Sequence, residues 1–244
     1  MTEQVPKDSA VDWRCRVATT LSEDYRDPNT GRLFPAGSVV TVDTIVRYGD
    51  RETAFGDPNA VALFLNQSHN AFIQAMRIHP LLDGRQTPGS RLELDARVYD
   101  YLELIMTSII FAYTAIEAFS NEEIPDDYYL EQQRKRDGIF VVYEKKSIER
   151  KVTLNEKLAR VLPETTQRRS PKGLKVWDDY VTLRRLRDRI VHLKTPDRAR
   201  SNADNLHPES LWKDLLQPQQ PDYPLIAKNM ILHFRPDKFK GCPF

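Results

Sequence analysis

From Leu92 to Asn121 an apolar stripe recurs at the helical period: Leu94, Val98, Tyr101, Leu102, Ile105, Ile109, Ala112, Ile116 and Phe119. A helix with so broad an apolar face must bury it against other elements. The stripe therefore predicts a long helix at the centre of a mainly α core. Its densest part, Ile105 to Phe119, is interrupted by Thr107, Ser108, Tyr113, Thr114 and Glu117. That run reads as too short and too polar to span a bilayer, so no membrane partner is expected.

The flanking segments divide the chain. Residues 1–55 read as a small β-rich segment packed on a helical domain, 56–244. Trp13 to Ala18 alternates roughly, Asp27-Pro28-Asn29-Thr30-Gly31 is a turn, and Val39 to Val46 is rich in β-branched residues. Such a segment is too small to be stable alone. Asp57-Pro58 reads as a helix cap followed by proline in the first turn, with Val61, Phe64, Leu65, Phe72 and Met76 at near-helical spacing up to His79-Pro80. Residues 83–90, with Gly84, Pro88, Gly89 and Ser90, read as a loop. Beyond Ile124-Pro125, Ile139 to Tyr143 suits either a strand or a buried helical turn. Leu154, Leu158, Val161 and Leu162 mark a helix stopped by Pro163. The next helix covers 174–193 and ends before Pro196, and two shorter ones are expected near 209–216 and 225–234.

A chain of 244 residues can bury a core without metal or disulfide staples. Its two cysteines, Cys15 and Cys242, have no metal-ligand spacing and suit free thiols in a reducing compartment. The polar first residues lack a signal-peptide core, so a cytoplasmic protein is expected. The formal net charge is +1, but its distribution is uneven: residues 134–200 hold 20 Lys and Arg against 9 Asp and Glu, and the remainder holds 16 against 26. A basic segment in a near-neutral protein suits local binding of a polyanion such as RNA, or else simply solvated helix faces.

Inside that segment lies Leu186-Arg187-Asp188-Arg189-Ile190-Val191-His192-Leu193. A histidine can move a proton near neutral pH, and a guanidinium can clamp a phosphate with two parallel hydrogen bonds. On the wheel of the helix 174–193, Val176, Tyr180, Leu183, Leu186, Ile190 and Leu193 form the core-facing arc. Arg187 lies at its flank, where a partly desolvated guanidinium needs an acidic or hydrogen-bonding partner. Glu117, which interrupts the long apolar stripe, is the candidate. His192 shares another face with Asp188, Arg184, Val181 and Trp177. A stripe of Trp and Val among ionisable groups suits a surface covered by a partner chain, with Trp177 and Val181 as dimer contacts. Arg187 and His192 are about 140° apart around an ideal helix and cannot converge on one phosphate from a single straight helix. A two-fold homodimer through this face could bring two copies of the stretch into one cleft.

The stretch Arg187 to His192 resembles the Arg-polar-x-x-x-His motif of the HEPN superfamily. The segment Ala112 to Asn121 looks like the first core helix of several of its families, which carry an Ala-x-Glu-like stretch. The likeness covers roughly residues 90–235 and omits the N-terminal strands. It implies an HEPN-like helical bundle and a metal-independent endoribonuclease working as a homodimer, in many families a toxin or antiphage defence effector. Carried over, Arg187 would hold the scissile phosphate, and His192 would act as base on the ribose 2′-hydroxyl or as acid to the leaving oxygen. Asp188 would orient the histidine or position the RNA, and Glu117 would hold Arg187, with Asn121 and Arg184 in support. Arg189, Lys194, Arg168 and Arg169 are the further RNA-contact candidates.

Other chemistries have little in their favour. No His-x-x-x-His or Cys-x-x-Cys spacing points to a metal, and no Gly-rich phosphate loop or Gly-x-Ser-x-Gly elbow occurs, so no cofactor is expected. Asp126-Asp127 and Asp178-Asp179 read better as helix-start charges than as metal ligands. The alternative to a nuclease is a non-catalytic helical module that uses the same basic surface to bind nucleotide, RNA or protein. The N-terminal segment is the expected place for a regulatory partner or trigger.

Overall fold

A computed structural model of the chain describes residues 12–82, 90–133, 138–198, 210–239 and 242–244. The architecture is mainly α, with small two-stranded antiparallel sheets. It divides into two compact units. One holds the chain up to Leu63 with Phe239–Phe244, and the other runs from Phe64 to Lys238.

The first unit is built from β1 (Val17–Thr20), β2 (Tyr25–Arg26), β3 (Leu33–Phe34), β4 (Val39–Thr41), β5 (Asp43–Tyr48) and β6 (Arg51–Gly56). The pairs are β1 with β4, β2 with β3, and β5 with β6. The turn between β2 and β3 is the one its residues predict: Asp27 Oδ1 accepts the Asn29 N–H at 2.8 Å, and Gly31 takes φ 68°. The apolar run from Val39 to Val46 is two strands rather than one, because the chain changes partner at Val42: Val39 pairs with Thr20 and Ile45 with Ala54. Strand β6, Arg-Glu-Thr-Ala-Phe-Gly, shows no clear alternation and is drawn into the ladder by the Gly49 turn, φ 59°. A Cβ at Gly56 would lie 2.9 Å from Cys15 Sγ, so a larger residue there would make the Cys15 side chain shift. Trp13 meets Phe239 and Phe244 edge-on at 6.0 and 5.9 Å.

Asp57 does not cap the helix that follows. Its carboxylate accepts from Thr44 Oγ1 at 2.9 Å, and Asn59 caps α1 (Ala60–Ile78) instead, its Oδ1 accepting from the Ala62 N–H at 3.1 Å. The first-turn proline is thus one step outside the helix.

In the second unit α2 (Arg91–Glu122), α6 (Lys175–Val191) and α8 (Tyr223–Phe234) pack together. Helix α2 buries Tyr101, Ile105, Ile109, Ala112, Ile116 and Phe119 completely. Against them lie Tyr180 and Leu183 of α6, and Ala227, Met230 and Phe234 of α8. By length and composition alone α2 could cross a bilayer, contrary to the sequence expectation, because the apolar register extends beyond the interrupted run. In this fold that face is filled by protein. The Tyr101 hydroxyl is also buried and donates to the Leu215 carbonyl of α7 (Leu211–Leu215) at 2.7 Å.

Both ends of α2 are tied chemically. Ser90 and Glu93 form a reciprocal capping box. Ser90→Ala should cost about 1 kcal/mol, read as a lowered urea midpoint with an unchanged slope. At the other end Glu122 and Glu123 sit on the negative pole of the helix dipole, an unfavourable place for acids. Arg235 reaches Glu123 at 2.6 Å, and Lys238 reaches Glu123 and Glu122 at 2.9 and 3.2 Å.

Strands β7 (Tyr129–Gln133) and β8 (Phe140–Glu144) pair antiparallel, and β8 leads into α3 (Lys145–Lys151). Leu130 of β7 is buried with Ile124, Ile148, Val152 and Val161. The helix begun by α4 (Leu154–Glu156) is not stopped by Pro163. It passes through a π-helical stretch, Lys157–Val161, into α5 (Leu162–Thr166), with Pro163 in the first turn of α5. A proline cannot donate to the carbonyl four residues back. The Ser170 hydroxyl donates to that carbonyl, Ala159 O, at 3.0 Å. The helix ends instead at Gln167, in the left-handed region at φ 54°.

Candidate functional site

Helix α6 carries the motif and ends one residue before its histidine. His192 is the C-cap, at φ −120°, with its N–H still donating to Asp188 O at 3.0 Å. Its side chain is therefore not fixed by the wheel drawn for 174–193. Leu183 and Leu186 face the core as that wheel predicts.

Arg187 is placed by aromatic packing. Its guanidinium lies 4.0 Å from the centre of the Tyr113 ring and donates to Asp188 Oδ1 at 2.9 Å. A cation held over a ring face in a partly desolvated site is attracted to the ring quadrupole. The expected partner Glu117 is not the group that holds it. Tyr113, one helical turn earlier on the same face of α2, takes that role. Tyr113 stacks on Tyr180 at 6.3 Å, and the Tyr180 hydroxyl donates to Asn155 Oδ1 at 2.6 Å. Burial pushes both tyrosine hydroxyls above their ordinary range, so they stay neutral while they pack.

Asn121 also serves another group. It accepts from the Lys157 ammonium at 2.7 Å, and Lys157 makes its second bond to the Glu149 carbonyl at 2.9 Å. Lys157 is only 2 % exposed. Burial lowers its pKa, and the charges of Glu117 and Glu149 oppose that shift without reversing it. Asn121 thus stabilises the π-helical stretch, not the motif.

Arg189 is committed to structure rather than to an open RNA surface. It pairs with Asp197 at 2.6 Å and with Asp214 of α7. The remaining positive groups split. Arg184, Arg185 and Lys194 line an open cleft of about 570 Å³ together with His192. Asp188, Arg189 and Asp197 complete its walls. Arg168 and Arg169 are exposed but do not line it, and the Arg169 carbonyl bonds His233 Nε2 at 2.7 Å. Trp177 and Val181 are half-buried, and Trp177 already contacts Tyr180 at 5.4 Å and Lys172 at 5.8 Å.

The fold thus unites His192 with Asp188, Arg184 and Lys194, while Arg187 is not among the lining residues and reaches the cleft wall through its bond to Asp188. Asp188 gives Oδ1 to Arg187, which leaves its second oxygen as an acceptor on the cleft wall. Chemically, the cleft offers a solvent-open imidazole beside cations suited to a phosphodiester. Sequence reasoning missed Tyr113, Arg185, Asp197 and Asp214. Arg185 follows directly from Arg184 in the basic run, whereas the two acids lie 8 and 25 residues from Arg189 and carry no local signal. Among the described residues no group of three or more His, Cys, Asp and Glu could hold a metal ion. No family model, curated protein or solved structure matches this chain.

Proposed function

We propose that this chain is a metal-independent endoribonuclease with an HEPN-like helical bundle, acting as a homodimer in a toxin or antiphage defence role. The observation that carries the reading is the position of His192: exposed, beside Arg184, Arg185 and Lys194, in one cleft. In the reaction the ribose 2′-oxygen bonds to the adjacent phosphorus as the bond from phosphorus to the 5′-oxygen breaks. The products are a 2′,3′-cyclic phosphate and a 5′-hydroxyl. His192 takes the 2′ proton or delivers one to the leaving oxygen, and the second subunit's histidine supplies the other transfer. The cleft cations stabilise charge developing on the phosphoryl oxygens. The first unit, where Ile45 and Tyr48 are 66 % and 74 % exposed, is the part we assign to a trigger or regulatory partner.

The test is cleavage of an RNA oligonucleotide in excess chelator, beside the same oligonucleotide carrying 2′-deoxy sugars throughout. Cutting of the ribo strand alone, at a rate the chelator does not change, is expected. An uncut ribo strand, or equal cutting of both, overturns the proposal. A second reading, a non-catalytic RNA- or nucleotide-binding module, is favoured by one observation: Arg187 is occupied by Tyr113 and Asp188. It predicts binding without product.

A further inference from the structure

The cations around the cleft differ in what already occupies their donors. Arg187 lies over Tyr113 and bonds Asp188. Arg189 is spent on Asp197 and Asp214. Among the described residues, the side chains of Arg184, Arg185 and Lys194 make no ion pair or hydrogen bond. The acids of the cleft are the reverse case. Asp188 already has Arg187, and Asp197 has Arg189 together with the Lys194 backbone N–H at 3.1 Å. A ligand phosphate therefore meets donors that need not first be released from a carboxylate. Arg184 and Asp188 are four residues apart on α6, and both line the same cleft as His192, the residue that caps the helix.

We infer that the phosphate subsite beside His192 is built by Arg184, flanked by Arg185 and Lys194, and that Arg187 is not part of it. The ribonuclease reading is needed only for the choice of RNA as the ligand. Arg184 presents a planar fork that can take two phosphoryl oxygens, while Lys194 acts as a point charge from the segment after α6. Arg187 instead pins α6 to α2 through Tyr113. Its guanidinium is a packing group, and the reaction can proceed without its touching RNA.

The experiment is fluorescence anisotropy of a labelled 2′-O-methyl oligoribonucleotide, which can bind but cannot be cut, over a series of salt concentrations. Arg184→Gln is expected to weaken binding ~10-fold and to reduce the slope of log affinity against log salt by ~0.7, the value of one single-strand phosphate contact. Arg187→Gln should stay within ~2-fold of wild type with the same slope, while its thermal midpoint falls. If Arg187→Gln does not fold, Arg184→Lys against Arg187→Lys makes the same comparison. A loss at 187 equal to or larger than that at 184, or no binding by the wild type, overturns the inference. A wild type that binds through Arg184 yet never cuts the matching all-ribose strand keeps the subsite and removes the nuclease reading.

Discussion

Replacing His192 by alanine is expected to slow chelator-resistant RNA cleavage by about 10²–10⁴-fold, the usual contribution of one positioned acid or base. The loss should fall on the chemical step. His192 is exposed and sits at the helix C-cap, where its backbone N–H, not its ring, bonds Asp188 O. Removing the ring therefore leaves the helix end and the core intact, and the thermal midpoint should stay within about 1 °C. RNA affinity should change by less than about 3-fold, since the cleft's cations are untouched. Single-turnover rates at saturating enzyme separate the two effects. A variant that keeps more than a tenth of the wild-type rate would show that another group moves the proton.

How far such a site could be read in the chain depended on the range of the interactions involved. The stripe from Leu94 to Phe119 marks α2 because one helical period is held across 26 residues, and so long an apolar face must be buried. The motif helix and its core-facing leucines follow from the same rule. The partner of Arg187 did not follow, because a guanidinium accepts a carboxylate and a ring face equally well. Tyr113 and Glu117 occupy one face of α2, and only the packed distance separates them. Strands β6 and β7 escaped notice for a different reason. Their sequences, Arg-Glu-Thr-Ala-Phe-Gly and Tyr-Leu-Glu-Gln-Gln, do not alternate apolar with polar residues, so pairing with β5 and β8, which is a tertiary event, decides their state. The run through Pro163 depends on a π-helical register and on a hydroxyl seven residues later, which no local pattern announces.

The long-range ties at Arg189 carry the other large expected effect. Arg189→Met keeps the aliphatic stem but leaves Asp197, whose side chain is 8 % exposed, without its main cation, and takes one from Asp214. Breaking a fully buried pair from one side costs about 3–5 kcal/mol. The groups here are partly open to solvent, so about 2–3 kcal/mol at pH 7 is expected, as a drop in urea stability. The pH dependence gives the test its sign. Burial pushes the Asp197 carboxyl up, but the hydrogen bonds from Arg189 and the Lys194 N–H, with the charges behind them, outweigh it and hold the carboxyl below its ordinary value. A carboxylate lowered in the folded state contributes stability that is fully present above the unfolded value, near pH 4, and lost as pH falls through the folded one. In Arg189→Met that contribution is gone, so the gap between variant and wild type should be widest at pH 6–7 and should narrow below pH 4. Because Asp214 ties this cluster to α7, whose Leu211 and Leu215 are fully buried, the variant should also loosen that helix, seen as faster amide exchange there. A gap that is absent at pH 7, or one that widens in acid, would mean that Arg189 stabilises the end of α6 by packing rather than by its charge.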